Sequence, residues 1–118
     1  MAMTLNNLAI LYKNTQRLTE AEDVYKQALE IYQRLANDNP KAYEPDVATT
    51  LNNLALLYSN TQRFTDAEDM YKQALEIYQR LANDNPDAYE PGEAMMLNNL
   101  AVLYFDTQRL TESEGMYK

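Results

Sequence analysis

The chain contains no histidine and no cysteine among its 118 residues. It therefore lacks an imidazole base, a thiol nucleophile, a disulfide bond and the usual ligands of a zinc site. Carboxylate pairs such as Glu20/Glu22 and Glu112/Glu114 fall at expected helix N-termini, where acidic residues complement the helix dipole. We therefore expect no catalytic residue, no metal ion and no cofactor, and we interpret the chain as a non-enzyme.

Basic residues are scarce, with 10 Lys and Arg against 18 Asp and Glu and a formal net charge of −8. An acidic chain repels a phosphate backbone, which argues against nucleic acid as a partner. No apolar run approaches the roughly 18–20 residues needed to cross a bilayer, and no signal-peptide pattern is present. We accordingly expect no membrane partner and a cytoplasmic location.

Glycine and proline are rare as well, with two and four residues, which leaves little room for a fold of strands and tight turns. Hydrophobic residues make up 46% of the chain, so it is not an acidic disordered tail. A chain of this length suits one domain with a modest core.

The sequence repeats itself with a period of 46 residues. The stretch LNNLALLYSNTQR, which begins at Leu51, has near copies that begin at Leu5 and Leu97, and residues 5–50 and 51–96 are identical at 36 of 46 positions. A period of about 20–50 residues is typical of a solenoid, in which each unit buries its apolar face on its neighbours. We therefore divide the single domain, which we expect to be part of a longer array, into units 1–46, 47–92 and a shorter 93–118.

Each unit contains two helical patterns. The first has apolar residues on one helical face, at Leu51, Leu54, Ala55 and Tyr58. The second keeps the same spacing at Ala67, Met70, Tyr71, Ala74, Tyr78 and Leu81, and the segment 83–86, Asn-Asp-Asn-Pro, is expected to end it. The patterns predict helices at roughly 2–15, 19–37, 46–61, 65–83, 92–107 and 111–118.

Local signals define the ends and the outer face of the second helix. Thr65 and Glu68 have the spacing of a capping box, which recurs at Thr19/Glu22 and Thr111/Glu114. Ion pairs between residues four apart are predicted for Glu68–Lys72 and Glu76–Arg80. Pro91 is expected in the first turn of the following helix.

The apolar spacing resembles the signature of the tetratricopeptide repeats, carried here by Leu51, Leu54, Ala55, Tyr58, Ala67, Tyr71 and Ala74, with Leu where Trp is usual. The stretches LNNLALLY and QALEIY look most like the longer repeats of kinesin light chain. The resemblance covers essentially the whole chain and implies an all-α fold, an α-solenoid whose antiparallel helix pairs form a right-handed superhelix. Gln16, Gln62 and Gln108 stand in interhelical turns where the family often has glycine. A left-handed conformation there would cost about 1 kcal/mol relative to glycine, unless the turn is remodelled.

The resemblance also implies a function, because the side of the first helix opposite its buried face lines the concave groove of such a superhelix. An asparagine side chain has one acceptor and two donors, which suits gripping the backbone of an extended peptide. We therefore expect a protein-interaction scaffold with a protein or peptide partner. The expected groove residues are Asn6, Asn7, Ile10, Lys13, Thr49, Asn52, Asn53, Leu56, Ser59, Asn60, Met95, Asn98, Asn99, Val102 and Phe105.

Two alternatives remain open at this point. The asparagine pairs could instead hydrogen-bond across neighbouring helices and stabilise the stack, or one asparagine of a pair could be structural while its neighbour is free. The chain could also be a structural module that forms a homo-oligomer through its ends. The third unit lacks counterparts of Ala74, Tyr78 and Leu81. We therefore expect Leu100 and Leu103 to be partly uncovered, and hidden by head-to-tail stacking or by exchange of terminal helices.

Overall fold

The computed structural model describes residues 5, 6, 8 and 17–116, with the side chains of the last part, 109–116, excepted. Its four long helices are α1 (Leu18–Asp38), α2 (Pro40–Asn60), α3 (Phe64–Asp84) and α4 (Pro86–Met116). Each helix packs against the next along the chain, and no strand occurs in the described residues. The predicted all-α solenoid is thus confirmed.

The core follows the apolar spacing of the sequence. Helix α2 buries Leu51, Leu54, Ala55 and Tyr58, and α3 buries Ala67, Tyr71, Ala74, Tyr78, Leu81 and Ala82. Alanine at Ala55 and Ala67 leaves no side chain beyond Cβ, so the helix backbones can approach closely, and both residues have no exposed surface. Each buried leucine contributes roughly 1.5–3 kcal/mol, which makes this apolar face the main source of stability.

Proline begins the first helix of each unit earlier than the pattern predicts. Helices α2 and α4 begin at Pro40 and Pro86, immediately after the single non-helical residues Asn39 and Asn85. Proline is favourable there because the first helical residue has no use for an N–H donor and needs the backbone angle that proline already has. The starts expected at 46 and 92 are therefore wrong. Pro91, predicted in the first turn, lies inside α4.

The predicted capping boxes at Thr19/Glu22 and Thr65/Glu68 are wrong. Helices α1 and α3 begin one residue before these threonines, so Arg17 and Arg63 occupy the N-cap positions, and neither side chain caps the backbone N–H groups of its helix. The Thr111/Glu114 pair lies well inside the continuous helix α4.

One of the two predicted ion pairs is confirmed. Lys72 Nζ lies 3.3 Å from Glu68 Oε2, as expected. Arg80 does not pair with Glu76 but with Glu44, which lies on the neighbouring helix α2. The pairing between helices is available because the C-terminal part of α3 packs alongside the first turns of α2.

The two described positions at which a glutamine is predicted in an interhelical turn, Gln62 and Gln108, have different conformations. Between α2 and α3, Gln62 has a φ of 63°, the left-handed conformation, and the Arg63 N–H donates to the Tyr58 carbonyl at 2.8 Å. At Gln108, the corresponding position, α4 continues as helix, so the separate helix predicted for 111–118 is wrong. A left-handed glutamine is unfavourable, and it persists at Gln62 because the turn lets α3 pack on α2. Gln16 lies outside the described residues.

The exposure of the third unit also differs from the expectation. Leu100 and Leu103 are buried, so the prediction that they are partly uncovered is wrong. They lie on the side of α4 that meets α3. Leu97, Ala101 and Tyr104 are exposed instead, in addition to the predicted groove residues Met95, Val102 and Phe105.

Replacing Gln62 with glycine should stabilise the protein by about 1 kcal/mol, because glycine adopts a left-handed backbone without strain. The same replacement at Gln108 should destabilise it by about 1 kcal/mol, because this residue lies within helix α4. Urea denaturation of both variants measures the two changes. Shifts of the same sign would contradict the difference between the two turns.

Candidate functional site

The paired asparagines divide into two kinds. Asn99 Nδ2 on α4 donates a hydrogen bond of 3.1 Å to Asn52 Oδ1 on α2, so one asparagine from each pair joins the first helices of successive units. Asn53 and Asn98 make no side-chain hydrogen bond among the residues that the structure describes. Asn53 is half-buried and Asn98 is exposed. The side-chain amides of Asn53 and Asn98 therefore remain available to hydrogen-bond a ligand, next to the Asn52–Asn99 bond.

The corresponding contact between the first two units uses a different partner. Asn6 Nδ2 donates to Thr50 Oγ1 at 3.0 Å, and this hydroxyl, which is fully buried, donates to the Asp46 carbonyl at 2.9 Å. Met96 replaces Thr50 in the third unit and is buried too. The first asparagine of each of the first two pairs, Asn6 and Asn52, thus contacts the next unit, through a hydroxyl in one case and an amide in the other.

The remaining predicted groove residues surround these amides. On α2 and α4 they lie opposite the buried leucines, with Asn53, Leu56 and Ser59 half-buried and Thr49, Asn60, Met95, Asn98, Val102 and Phe105 exposed. The Thr49 hydroxyl donates to the Pro45 carbonyl at 3.0 Å. The predicted residues Asn7, Ile10 and Lys13 lie outside the described part of the chain. The first helices of the second and third units therefore present a surface of amides with apolar side chains between them.

Glu22 lies in a cluster of polar side chains that the repeat pattern alone does not predict. Glu22 on α1 accepts hydrogen bonds from Tyr58 Oη at 3.0 Å and from Arg63 Nη1 at 2.8 Å, and Lys26 Nζ lies 3.0 Å away. The Arg63 guanidinium also lies over the Tyr58 ring, 4.3 Å from its centroid. We call Glu22, Lys26, Tyr58 and Arg63 the inter-repeat cluster, because it joins α1 to α2 and to the start of α3.

The inter-repeat cluster recurs one unit later. Glu68 accepts a hydrogen bond from Tyr104 Oη at 2.8 Å and pairs with Lys72. The glutamate and the tyrosine are 36 residues apart in both cases. Glu, Lys and Tyr recur at the same positions of each unit, and this recurrence is the sequence signal for the cluster. Spacing within one helix predicts only a cap and an ion pair for the glutamate, because it does not show that the tyrosine of the next unit is close.

A cleft of about 490 Å³ lies away from these asparagines, between the end of α1, the start of α2 and the middle of α3. Its lining includes Gln33, Glu44, Val47 and Ile77 and none of the predicted groove residues. The cleft is open to solvent and has no cluster of ionisable groups. We assign it no function.

Among the described residues, no group of acidic side chains is arranged to hold a metal ion. The same part of the chain contains no helix that is both long enough and apolar enough to span a membrane.

The sequence matches a known protein family, and the structure is similar to a solved structure. The sequence profiles of the tetratricopeptide repeat match residues 1–80, 46–89 and 94–118. The chain belongs to the tetratricopeptide repeat family. Such repeats generally mediate protein–protein interaction, and members of the family are typically scaffolds rather than enzymes.

The crystal structure of BtubC (BKLC) from P. vanneervenii is similar, with 33% sequence identity and a TM-score of 0.69. The match covers 90% of this chain and 39% of that one, so this chain spans well under half the length of BtubC. The resemblance to repeats of the kinesin-light-chain type is confirmed by this neighbour. No curated protein matches the chain.

The inter-repeat cluster makes the free energy of unfolding depend on pH. Partial burial alone would raise the pKa of Glu22, but hydrogen bonds from Lys26, Tyr58 and Arg63 outweigh it and hold the pKa below its ordinary value of 4.5. A carboxylate whose pKa is lowered in the folded state stabilises the protein at pH values above its ordinary pKa. This contribution to stability is lost as the pH falls through the lowered pKa.

Replacing Glu22 with glutamine should therefore reduce the free energy of unfolding by about 1–2 kcal/mol at pH 7, with a smaller difference from the parent chain at acidic pH. Urea denaturation between pH 2 and pH 7 provides the measurement. The matched control is Glu30→Gln, which alters an exposed glutamate of the same helix. An equal loss at all pH values in the Glu22 variant would mean that the charge of Glu22 is not what stabilises the cluster.

Proposed function

We propose that the chain binds an extended segment of a partner protein along the side of α2 and α4 that carries the asparagines. The single observation that supports this most is the division of the pairs, in which Asn52 and Asn99 bond to each other and leave Asn53 and Asn98 without a partner among the described residues. In tetratricopeptide superhelices this side of the first helix faces the concave groove. A free amide at each of two successive units suits a ligand that runs across the repeats.

The chemistry of an amide fits a peptide backbone. Asn53 and Asn98 each offer one acceptor and two donors, which can pair with the N–H and C=O groups of an extended strand. Such contacts do not depend on the side chains of the ligand. The exposed apolar residues Met95, Val102 and Phe105 supply the surface on which those side chains would pack.

Charge gives the ligand a preferred sign. The predicted groove residues of α2 and α4 are all uncharged, while the whole chain carries a formal net charge of −8. The long-range field of an acidic protein attracts a positively charged segment and accelerates its association. We therefore expect segments with a net positive charge to bind faster, and this preference to weaken as salt is added.

The two kinds of asparagine should respond differently to alanine. Asn53→Ala with Asn98→Ala should weaken the binding of many unrelated peptides by a similar amount, about 1–3 kcal/mol, with little change in melting temperature. Asn52→Ala or Asn99→Ala should lower the melting temperature, because each removes the bond between α2 and α4. Array binding of a random peptide library and thermal unfolding measure the two effects.

Unchanged array binding in the Asn53/Asn98 variant, together with a lowered melting temperature, would place these residues in the structural class and refute the groove proposal. An effect confined to a few peptide sequences would contradict recognition of the backbone.

Self-association through the repeat ends remains a prediction, since no contact within one chain tests it. The exposed Leu97 and Tyr104 favour some form of association at the third unit. Binding in the groove is the better supported function, because it uses polar groups that no packing requirement explains.

A further inference from the structure

The groove side of the first helices consists of three parallel rows of residues, with the asparagine pairs in the middle. Thr49, Asn53 and Leu56 lie on one face of α2, because they are spaced at i, i+4 and i+7. Met95 and Val102 occupy the positions of Thr49 and Leu56 on α4. We call Thr49 and Met95 the N-terminal row, and Leu56 and Val102 the C-terminal row. Each row lies about 5 Å from the asparagines along the helix axis, given a rise of about 1.5 Å per residue.

Both rows are accessible within a stack of repeats. Helix α2 is hydrogen-bonded to the units on both sides of it. Thr49 is nevertheless exposed, and Leu56 is only half-buried. Met95 and Val102 are 46% and 53% exposed at the equivalent positions of α4. The accessibility of the rows therefore does not depend on the position of a helix in the stack.

The C-terminal row is apolar in all three units. Ile10, Leu56 and Val102 stand at equivalent positions of the repeat. Leu56 packs partly against the core, but Val102 keeps about half of its surface exposed, so packing within the chain does not account for an apolar residue there. An apolar side chain of a ligand would remove this surface from water.

The N-terminal row changes its chemistry from one unit to the next. On α2 the Thr49 hydroxyl donates to the Pro45 carbonyl of its own helix at 3.0 Å. On α4 the equivalent Met95 presents a flexible, polarisable thioether, which adapts to large apolar and aromatic side chains. This row therefore suits a small side chain over α2 and a large apolar one over α4.

An extended chain has the geometry to use all three rows at once. Successive side chains of a strand point in opposite directions, and its N–H and C=O groups lie at right angles to them. In a strand that crosses α2 and α4 over the asparagines, one set of alternate side chains meets the C-terminal row. The other set meets the N-terminal row, and half of the backbone polar groups face the asparagine amides.

We propose that the ligand of the groove is an extended segment of a partner protein with an alternating pattern, in which every second side chain is apolar and contacts the C-terminal row. The other set carries a small side chain over Thr49 and a large apolar one over Met95. This inference rests on the groove function proposed above and adds the side-chain preference that backbone contacts do not supply. Because the rows are uncharged in a chain of net charge −8, the flanking side chains of the segment are basic rather than acidic.

Three labelled peptides with lysine at both ends are the probes. In the first, valine alternates with one serine and one leucine. The second has the same composition with its residues grouped by type, and the third has serine in place of the leucine. Fluorescence anisotropy, titrated with the full chain, should show the first peptide binding about tenfold more tightly than the second, since only the alternating order places apolar groups on both rows.

Variants of the chain locate the preference. Val102→Thr should weaken binding of the first and third peptides about fivefold, because it replaces an apolar group of the C-terminal row. Met95→Thr should weaken only the first peptide, since the third has no leucine for Met95 to contact. The matched control is Leu97→Thr, because Leu97 is 51% exposed but lies on another side of α4. It should bind all three peptides like the parent chain.

Four results would overturn the proposal. They are equal binding of the alternating and grouped peptides, unchanged binding in both row variants, an equal loss in the Leu97 variant, and a gain of helix in the circular dichroism of the complex. A dimer in light scattering that Val102→Thr abolishes would also overturn it, since a second copy would then occupy the groove.

The groove function itself is tested separately. If the peptides bind alike and Asn53→Ala with Asn98→Ala weakens all of them, the side-chain preference is wrong and the groove function stands. If no peptide binds the parent chain, both are wrong.

Discussion

The structure depends on the burial of one apolar face, that of Leu51, Leu54, Ala55 and Tyr58, beneath helix α3. This contact stabilises the pair of helices enough to hold Gln62 in a left-handed conformation that glutamine otherwise avoids. Where the same face recurs on α4 without a covering helix, the left-handed turn is absent as well. The left-handed turn thus occurs where a second helix packs back on the first.

Polar residues join the repeats in two separate places. On one side of the first helices, an amide from each asparagine pair bonds to the neighbouring unit. On the other, Glu22 and Glu68 receive the tyrosine hydroxyl of the following unit. Both contacts involve groups that would be costly to bury unpaired, so they fix the register between units as well as contributing to stability. The asparagines left over from the first arrangement are the basis of the proposed groove.

In the third unit, α4 continues as helix to Met116, and within the described residues no second helix folds back on it. Leu100 and Leu103 are buried in the core that α4 shares with α3, whereas Leu97 is exposed and Tyr104 is exposed except for its hydroxyl contact with Glu68. A solenoid unit thus depends on both neighbours for burial of its two apolar sides.

The sequence by itself determined the helices and the apolar face of each, because these follow from spacing within a single helix. It also determined the period of 46 residues, because near copies recur at that distance. It also correctly predicted the pair Glu68–Lys72, whose partners are one turn apart. Tertiary structure alone decided the partners of Glu22 and Arg80. It also decided which asparagine of each pair is hydrogen-bonded and whether the chain turns at Gln108. These depend on distances between helices that sequence spacing does not contain. Gln62 and Gln108 occupy the same position of the repeat, and within the described residues a second helix folds back only after Gln62.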